Sequence, residues 1–304
     1  MQKAIIAGSI AVAVQAIHPV SEEMVSAIRQ RTSSWIAHDH STNPLRNKSV
    51  EELMGLCGTY IQDDSNEIYA EVPIIANLPT DFDSRTQWGK LVHEIRDQQS
   101  CGSCWAFGAT EALSDRFAIA SAGKVDVVLS PEDMVSCDTT DLGCSGGYMN
   151  RAWAYLESSG VVSESCFPYS AGSGKAPSCQ SKCTDGAAWK KYTCKKGTTV
   201  HPMTVAAIQS EINAHGPVEG AFTVYQDFFN YKSGVYHHVS GGVAGGHAIK
   251  VLGWGVENGD AYWLCANSWG KSWGIDGFFK IRQGDSGINQ QIYGCTPNLP
   301  TEAQ

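Results

Sequence analysis

The run Ile95-Arg-Asp-Gln-Gln-Ser-Cys-Gly-Ser-Cys-Trp-Ala-Phe107 constrains this chain more than any other stretch. Gln98, Gln99, Ser100, Gly102 and Ser103 make its first half polar and turn-prone. From Trp105 onward, Ala109, Ala112, Leu113, Phe117 and Ala120 recur at helical spacing and predict one broad apolar face, with Gly123 as the stop. Cys104 therefore belongs to the first turn of a helix, where unpaired N–H groups and the positive end of the dipole favour a thiolate. Three uses fit Cys101 and Cys104: a redox dithiol, two disulfide halves, or a nucleophile at Cys104 beside a structural Cys101.

The flanking sequence narrows the setting. Lys3, the apolar stretch Ala4–Val14 and the small-residue site Val14-Gln15-Ala16 predict a signal peptide over 1–16. The apolar stretch is too short to span a bilayer, and no later stretch is long enough, so no membrane span is expected. Eleven cysteines behind such a signal imply disulfides in an oxidising compartment, and the odd count leaves at least one sulfur without an intrachain partner. A net charge of −9 without basic runs argues against nucleic acid and against anionic membranes.

Residues 17–77 form a separate segment. Ser21 with Glu22 and Glu23 predicts a short helix, and Ser49-Val-Glu-Glu52 a second one opened by a capping box and closed by Gly58. Asn47-Lys-Ser is a glycosylation sequon. Two short helices bury little by themselves, so this segment is expected to pack on the remainder. From Leu78 the chain becomes denser in Cys, Gly and Trp. Helices are predicted after Ser130-Pro131, from Tyr148 to Ser159, and from Thr204 to His215. Beyond Gly216-Pro217 the period shortens to two, and Asn258-Gly259 marks a hairpin. Helices first and strands second predict an α+β protein with a helical lobe over about 78–200 and a β lobe over about 201–304.

A thiolate nucleophile needs a base, and the base needs an orienting group. His247, in Gly245-Gly-His-Ala-Ile, and Asn267, in Ala266-Asn-Ser-Trp-Gly, lie 143 and 163 residues after Cys104. Each alone is more often structural. With Cys-Gly-Ser-Cys-Trp they match a signature that places His and Asn roughly 130–150 residues downstream, Asn267 falling slightly outside that range. On these motifs, and on Ile95-Arg-Asp-Gln, Gly216-Pro-Val-Glu-Gly-Ala-Phe, Tyr231-Lys-Ser-Gly-Val-Tyr and Gly253-Trp-Gly-Val-Glu-Asn-Gly, residues 78–304 resemble the papain-family cysteine peptidases, in particular the cathepsin B-like ones. Residues 17–77, with Leu56-Cys-Gly-Thr59, resemble the short propeptide of that group.

The resemblance implies a two-lobed papain-like fold, a helical lobe and a β-barrel-like lobe with the active-site cleft between them. It makes Cys104 the nucleophile, His247 the base paired with it as thiolate and imidazolium, and Asn267 the residue that orients His247. Gln98 and the Cys104 N–H would form the oxyanion hole, and Trp269 would cover the Asn–His contact. Gly146, Gly147 and Gly246 would meet the substrate backbone; Tyr148, Met149, Ala221, Ala248 and Gln291 would shape the S2 pocket. By family pattern Cys101 pairs with Cys144, Cys137 with Cys179 and Cys166 with Cys183. This leaves Cys104 free and removes both the redox reading and a zinc reading of Cys179-x-x-x-Cys183. Cys57, Cys194, Cys265 and Cys295 stay unassigned. Expected partners are protein and peptide substrates, the chain's own propeptide as inhibitor, and cystatin-like inhibitors. No metal or other cofactor is expected, the chain is expected to be a monomer, and a lysosome-like or extracellular location follows.

Three departures bear on function. The family's histidine-bearing occluding loop, which confers carboxydipeptidase activity, has no counterpart in Cys166–Cys179, which lacks histidine; His237-His238 sits in the β lobe instead. An endopeptidase is therefore expected. Gln291 replaces a glutamate, which predicts an apolar rather than basic P2 preference. Gln99 stands where the family has glycine. A further disulfide of the family is absent jointly, at about Leu91 and Phe117. The rival from another class is a secreted binding protein on the same fold; the presence of Cys104, His247, Asn267 and Gln98 counts against it.

Overall fold

The computed structural model describes residues 17–62 and 67–300, so the expected signal peptide at 1–16 lies outside the described residues. Helix α1 (Glu22–Arg31) begins where the Ser21 hydroxyl accepts from the Met24 N–H. It turns Met24, Val25 and Ile28 inward. Strand β1 (Trp35–Ala37) follows, then α2 (Val50–Gly55), whose capping box of Ser49 and Glu52 is present. Helix α2 ends at Gly55 rather than being closed by Gly58. Leu56 caps it with helical backbone angles, its N–H donating to the Leu53 carbonyl, and its side chain is buried at 2% exposure. Gly58 is used instead for a close backbone crossing described below.

Residues 78–200 carry β2 (Phe82–Asp83), α3 (Ser84–Trp88), α4 (Cys104–Ala120), α5 (Pro131–Cys137) and α6 (Met149–Ser158). Every residue of α4 from Cys104 to Ala118 is buried, not one face alone. The helix is enclosed by α5, α6 and the sheet, which is why Thr110, Ser114, Asp115 and Arg116 are buried with the apolar positions. After α7 (Val205–His215) come β3 (Val218–Tyr225), β4 (Tyr231–Tyr236), β5 (Val243–Glu257), β6 (Asp260–Ala266), β7 (Phe278–Arg282) and β8 (Ile292–Tyr293). The strands run β1-β4-β7-β6-β5-β3-β8, with β2 also paired to β5. All these pairs are antiparallel except β4–β7. The β5–β6 turn is the expected Asn258-Gly259, with Asn258 at φ +52. The result is the mixed α+β architecture anticipated from the order of helices and strands.

The N-terminal segment is built into this frame. Strand β1 extends the sheet at β4, with Trp35 opposite Gly234. Val20, Met24, Val25, Ile28, Trp35, Leu45, Leu53 and Leu56 share one core with Phe228, Tyr231, Tyr236 and Trp269. Each such side chain contributes roughly 1.5–3 kcal/mol by leaving water. The two halves are also tied across their ends. Cys194 is bonded to Cys295, and both pack in the core around α4. The other bonds are Cys101–Cys144, Cys137–Cys179 and Cys166–Cys183; Cys57, Cys104 and Cys265 are free thiols.

Candidate active site

Helix α4 presents Cys104 as its first residue, and strand β5 presents His247 opposite Phe222 of β3. Asn267 follows the last residue of β6, and its N–H donates to the Gly277 carbonyl, which holds the turn. The His247 Nε2–H donates to Asn267 Oδ1 at 2.7 Å. Asn267 Oδ1 also accepts the Ser268 N–H at 2.9 Å, so the amide is oriented from two sides. His247 Nδ1 is buried and without a hydrogen bond. The Trp269 ring covers the pair at 4.7 Å from the imidazole centroid, and is itself stacked on Phe229.

Gln98 is fully buried, and the Ser268 hydroxyl donates to its Oε1 at 2.7 Å. Its Nε2 donates to the Cys101 carbonyl at 2.8 Å and to the Leu56 carbonyl at 3.1 Å. The Gln98 amide thus holds a backbone carbonyl of the N-terminal segment, that of Leu56.

The N-terminal segment occupies the groove between the two lobes. Thr59 Oγ1 lies 3.1 Å from Cys104 Sγ. The Gly147 N–H donates to the Gly58 carbonyl and the Tyr60 N–H to the Gly147 carbonyl, both at 2.9 Å. From the other wall the Gly246 carbonyl accepts the Thr59 N–H at 2.9 Å. An extended chain is thus paired with both walls, as a peptide added to strand edges is. The glycines are needed for approach: a Cβ on Gly246 would sit 2.1 Å from the Thr59 carbonyl oxygen, and one on Gly58 would sit 2.0 Å from that of Gly102.

Beyond Gly147, the Tyr148 ring stacks on Tyr60 at 4.9 Å. Met149, Ala221 and Ala248 are buried in one cluster, with Ala221 and Ala248 paired across β3 and β5. Gln291 is 4% exposed and donates through Nε2 to the Gln62 carbonyl at 2.6 Å. Of the expected subsite residues, Tyr148 and Gln291 thus meet the N-terminal segment, at Tyr60 and Gln62. His237 and His238 are elsewhere: His237 is bonded to Ser34, and His238 is stacked on Tyr225 beside Asp227.

The covered groove differs electrostatically from the expected ion pair. Burial pushes the Cys104 thiol up, against the hydrogen bond from Thr59, and pushes His247 down to about 4, against the hydrogen bond to Asn267. With residues 56–60 in place, both shifts favour the neutral thiol and neutral imidazole over the ion pair. Desolvation by burial is the largest cause for each group, and Thr59 of the N-terminal segment lies against the thiol.

Thr59, Leu56 and Ser268 are contacts that reading side-chain chemistry alone did not assign. Leu56-Cys-Gly-Thr59 was visible as a motif, but its position over the thiol was not. Glu219 was missed altogether: it is fully buried under Gly108, its carboxylate accepts from Trp153 Nε1 at 2.7 Å, and burial pushes it well above the carboxylate range.

Among the described residues, no cluster of three or more His, Cys, Asp or Glu side chains is placed to hold a metal ion, and no helix is long and apolar enough to cross a membrane. The profile of the papain family cysteine proteases matches residues 78–296, and the chain belongs to that family. Within it the cathepsin B-like members are similar. The "Gut-specific cysteine proteinase" of Caenorhabditis elegans is 45% identical over 251 residues, 75% of this chain and 76% of that one. "Cathepsin B-like cysteine proteinase 4" of the same organism is 46% identical over 255 residues, 73% and 76% of the two chains. The solved structure of proCathepsin B S9 from Trypanosoma congolense superposes with a TM-score of 0.85 at 32% identity, covering 92% of this chain and all of that one. A digestive procathepsin L2 proteinase from Tenebrio molitor gives 0.71 at 29% identity, covering 91% and 88%.

Proposed function

We propose that this cysteine protease is an endopeptidase made as a zymogen, with residues 17–77 as its inhibitory propeptide and 78–304 as the enzyme. The observation that carries this reading is the seating of residues 58–60 between Gly147 and Gly246, directly over Cys104. After removal of the propeptide, water returns to the groove and Cys104 can give its proton to His247 Nδ1. The thiolate attacks the scissile carbonyl carbon, and the oxyanion is met by Gln98 Nε2 and the Cys104 N–H. His247 returns the proton to the leaving amine, giving a thioester, and then activates the water that hydrolyses it. Asn267 keeps the other imidazole nitrogen protonated throughout.

Cys166–Cys179 contributes no histidine to grip a terminal carboxylate, so the leaving-group side is open to chains that continue. Blocked internal substrates should be cut faster than free C-terminal dipeptides are removed. The reverse ratio would end the endopeptidase reading. Gln291, a neutral side chain whose backbone carbonyl accepts the Ala221 N–H, supports an apolar or aromatic P2. Gln291→Glu should raise kcat/KM for an Arg-Arg substrate relative to Phe-Arg by roughly 10- to 100-fold, the range of one charge-assisted hydrogen bond. An unchanged ratio would remove Gln291 from the S2 pocket.

Acid release of the propeptide has a local basis. His38, beside β1, is 8% exposed with both ring nitrogens unbonded, and burial and then Lys232 hold it below its usual value despite Asp39. A histidine depressed in the docked state leaves docking at full strength above its free value, and weakens it as pH falls below about 6.5. His38→Phe should move the midpoint of self-processing to lower pH, measured as processing rate from pH 7 to 4. A midpoint unmoved or raised would exclude His38 as a trigger. A signal peptide and acid activation together fit a lysosome-like compartment or an acidic extracellular fluid.

A further inference from the structure

We propose that Gln99 is a specificity-determining residue that binds the backbone of the leaving segment of the substrate. The inference rests on the endopeptidase reading and adds a contact to it.

The path of the N-terminal segment locates Gln99. That segment runs from the Gly147 and Gly246 walls at residues 58–60, over Cys104 at Thr59, to Gln98 at Leu56. It continues with the Gly55 carbonyl facing Gly102 and the Lys48 ammonium 3.4 Å from the Ser100 hydroxyl. A peptide bound along the same groove leaves the thiol on the side of Gln98 and Ser100. Gln99 lies between them and is exposed.

Its backbone is held in an unusual state. Gln99 is not glycine, yet has φ +55, the left-handed region that disfavours side chains with a Cβ. Its N–H is fixed to Asp97 Oδ1 at 2.8 Å, and the neighbouring Ser100 N–H to the Gly172 carbonyl at 2.9 Å. The side chain lies across Gly172, where a Cβ would stand 2.4 Å from Gln99 Oε1. Gly172 thus clears a seat for the glutamine in the short segment between Cys166 and Cys179. Within this seat the carboxamide has no hydrogen bond to a described side chain or backbone group. Strain retained at a site beside the oxyanion glutamine points to use. A carboxamide offers one acceptor and two donors, and so matches the N–H and C=O of a peptide leaving the site.

The test compares two substrates of the processed enzyme with the same residues on the acyl side. One is a coumarin amide with nothing beyond the bond cut; the other is an internally quenched peptide continuing four residues further. Gln99→Gly relieves the left-handed strain, so loss of folding is not the expected outcome. Its kcat/KM on the continuing peptide should fall about threefold to tenfold, as for one lost hydrogen bond, with the coumarin amide within twofold of wild type. Partition of the acyl-enzyme to an added dipeptide amide should fall by the same factor. Equal changes on both substrates, or none on either, would overturn the proposal. No turnover of either substrate by wild type would instead defeat the peptidase reading beneath it.

Discussion

Cys104→Ser is expected to lower kcat/KM of the processed enzyme by at least ~10⁴-fold, with the fold unchanged. The loss is chemical. A serine in this place fits a site made for the larger sulfur, so packing around the N-terminus of α4 is kept. What disappears is a group that His247 can deprotonate near neutral pH. A hydroxyl is far less acidic than a thiol, and nothing beside Cys104 is arranged to compensate. The measurement is steady-state hydrolysis of a Phe-Arg coumarin amide, with circular dichroism to show that the variant is folded. Residual activity within a hundredfold of wild type would move the nucleophile elsewhere.

The largest effect on stability is expected at Arg116, one turn before the end of α4. Its guanidinium is 1% exposed and donates to the carbonyls of Pro217 and Cys295 and to Glu211 Oε1. One side chain therefore joins α4, α7, the entry to β3 and the C-terminal stretch held by Cys194–Cys295. Arg116→Met leaves Glu211 buried with only His215 beside it, and at least two carbonyls without their donor. Removal of one member of a buried pair costs about 3–5 kcal/mol. At 2–4 °C per kcal/mol for a chain of this size, the melting temperature should fall by roughly 6–20 °C. A drop under about 2 °C would show that water replaces the guanidinium at little cost.

The same pair sets an acid limit. Burial pushes Glu211 up, but Arg116 and His215 outweigh it and hold the carboxyl at about 2. A carboxyl depressed in the folded state stabilises above its unfolded value of about 4.3, and that stability is lost as pH falls through about 2. The increment, on the order of 3 kcal/mol, is thus intact at pH 5 and declines between about pH 4 and 2. Denaturant midpoints should follow that window in wild type and flatten in Arg116→Met.

The amino-acid sequence made some of this legible because the signals are local. Ser21, Ser49, Ser130 and Thr204 each cap the helix they were expected to open, and Asn258-Gly259 turns the hairpin. Cys104, His247 and Asn267 could be proposed from sequence because each lies in a short stretch with small or aromatic neighbours, Gly102 and Trp105, Gly245 and Gly246, and Trp269. Other features depend on what lies across the fold. Gly58 reads equally as a helix stop or as a point of backbone contact, and only the Gly102 carbonyl opposite it decides. The burial of α4 on every side cannot be seen from its own periodicity, since Asp115 and Arg116 are buried by finding Lys250 and Glu211 far along the chain. Cys194 and Cys295 are 101 positions apart and carry no local mark of pairing. The upward push on the Cys104 thiol is hidden for the same reason: the helix terminus favours a thiolate, but burial, which depends on the whole fold, works against it.

The central claim is that Cys104 is a nucleophile which residues 55–62 hold silent. It is tested most directly by incubating the unprocessed and processed chains with an epoxide thiol trap at pH 5.5 and reading intact mass and peptide maps. One adduct on Cys104 in the processed chain, little in the unprocessed chain, and none in processed Cys104→Ser is the expected result. Equal labelling of both forms, or an adduct on Cys265 in place of Cys104, would contradict it.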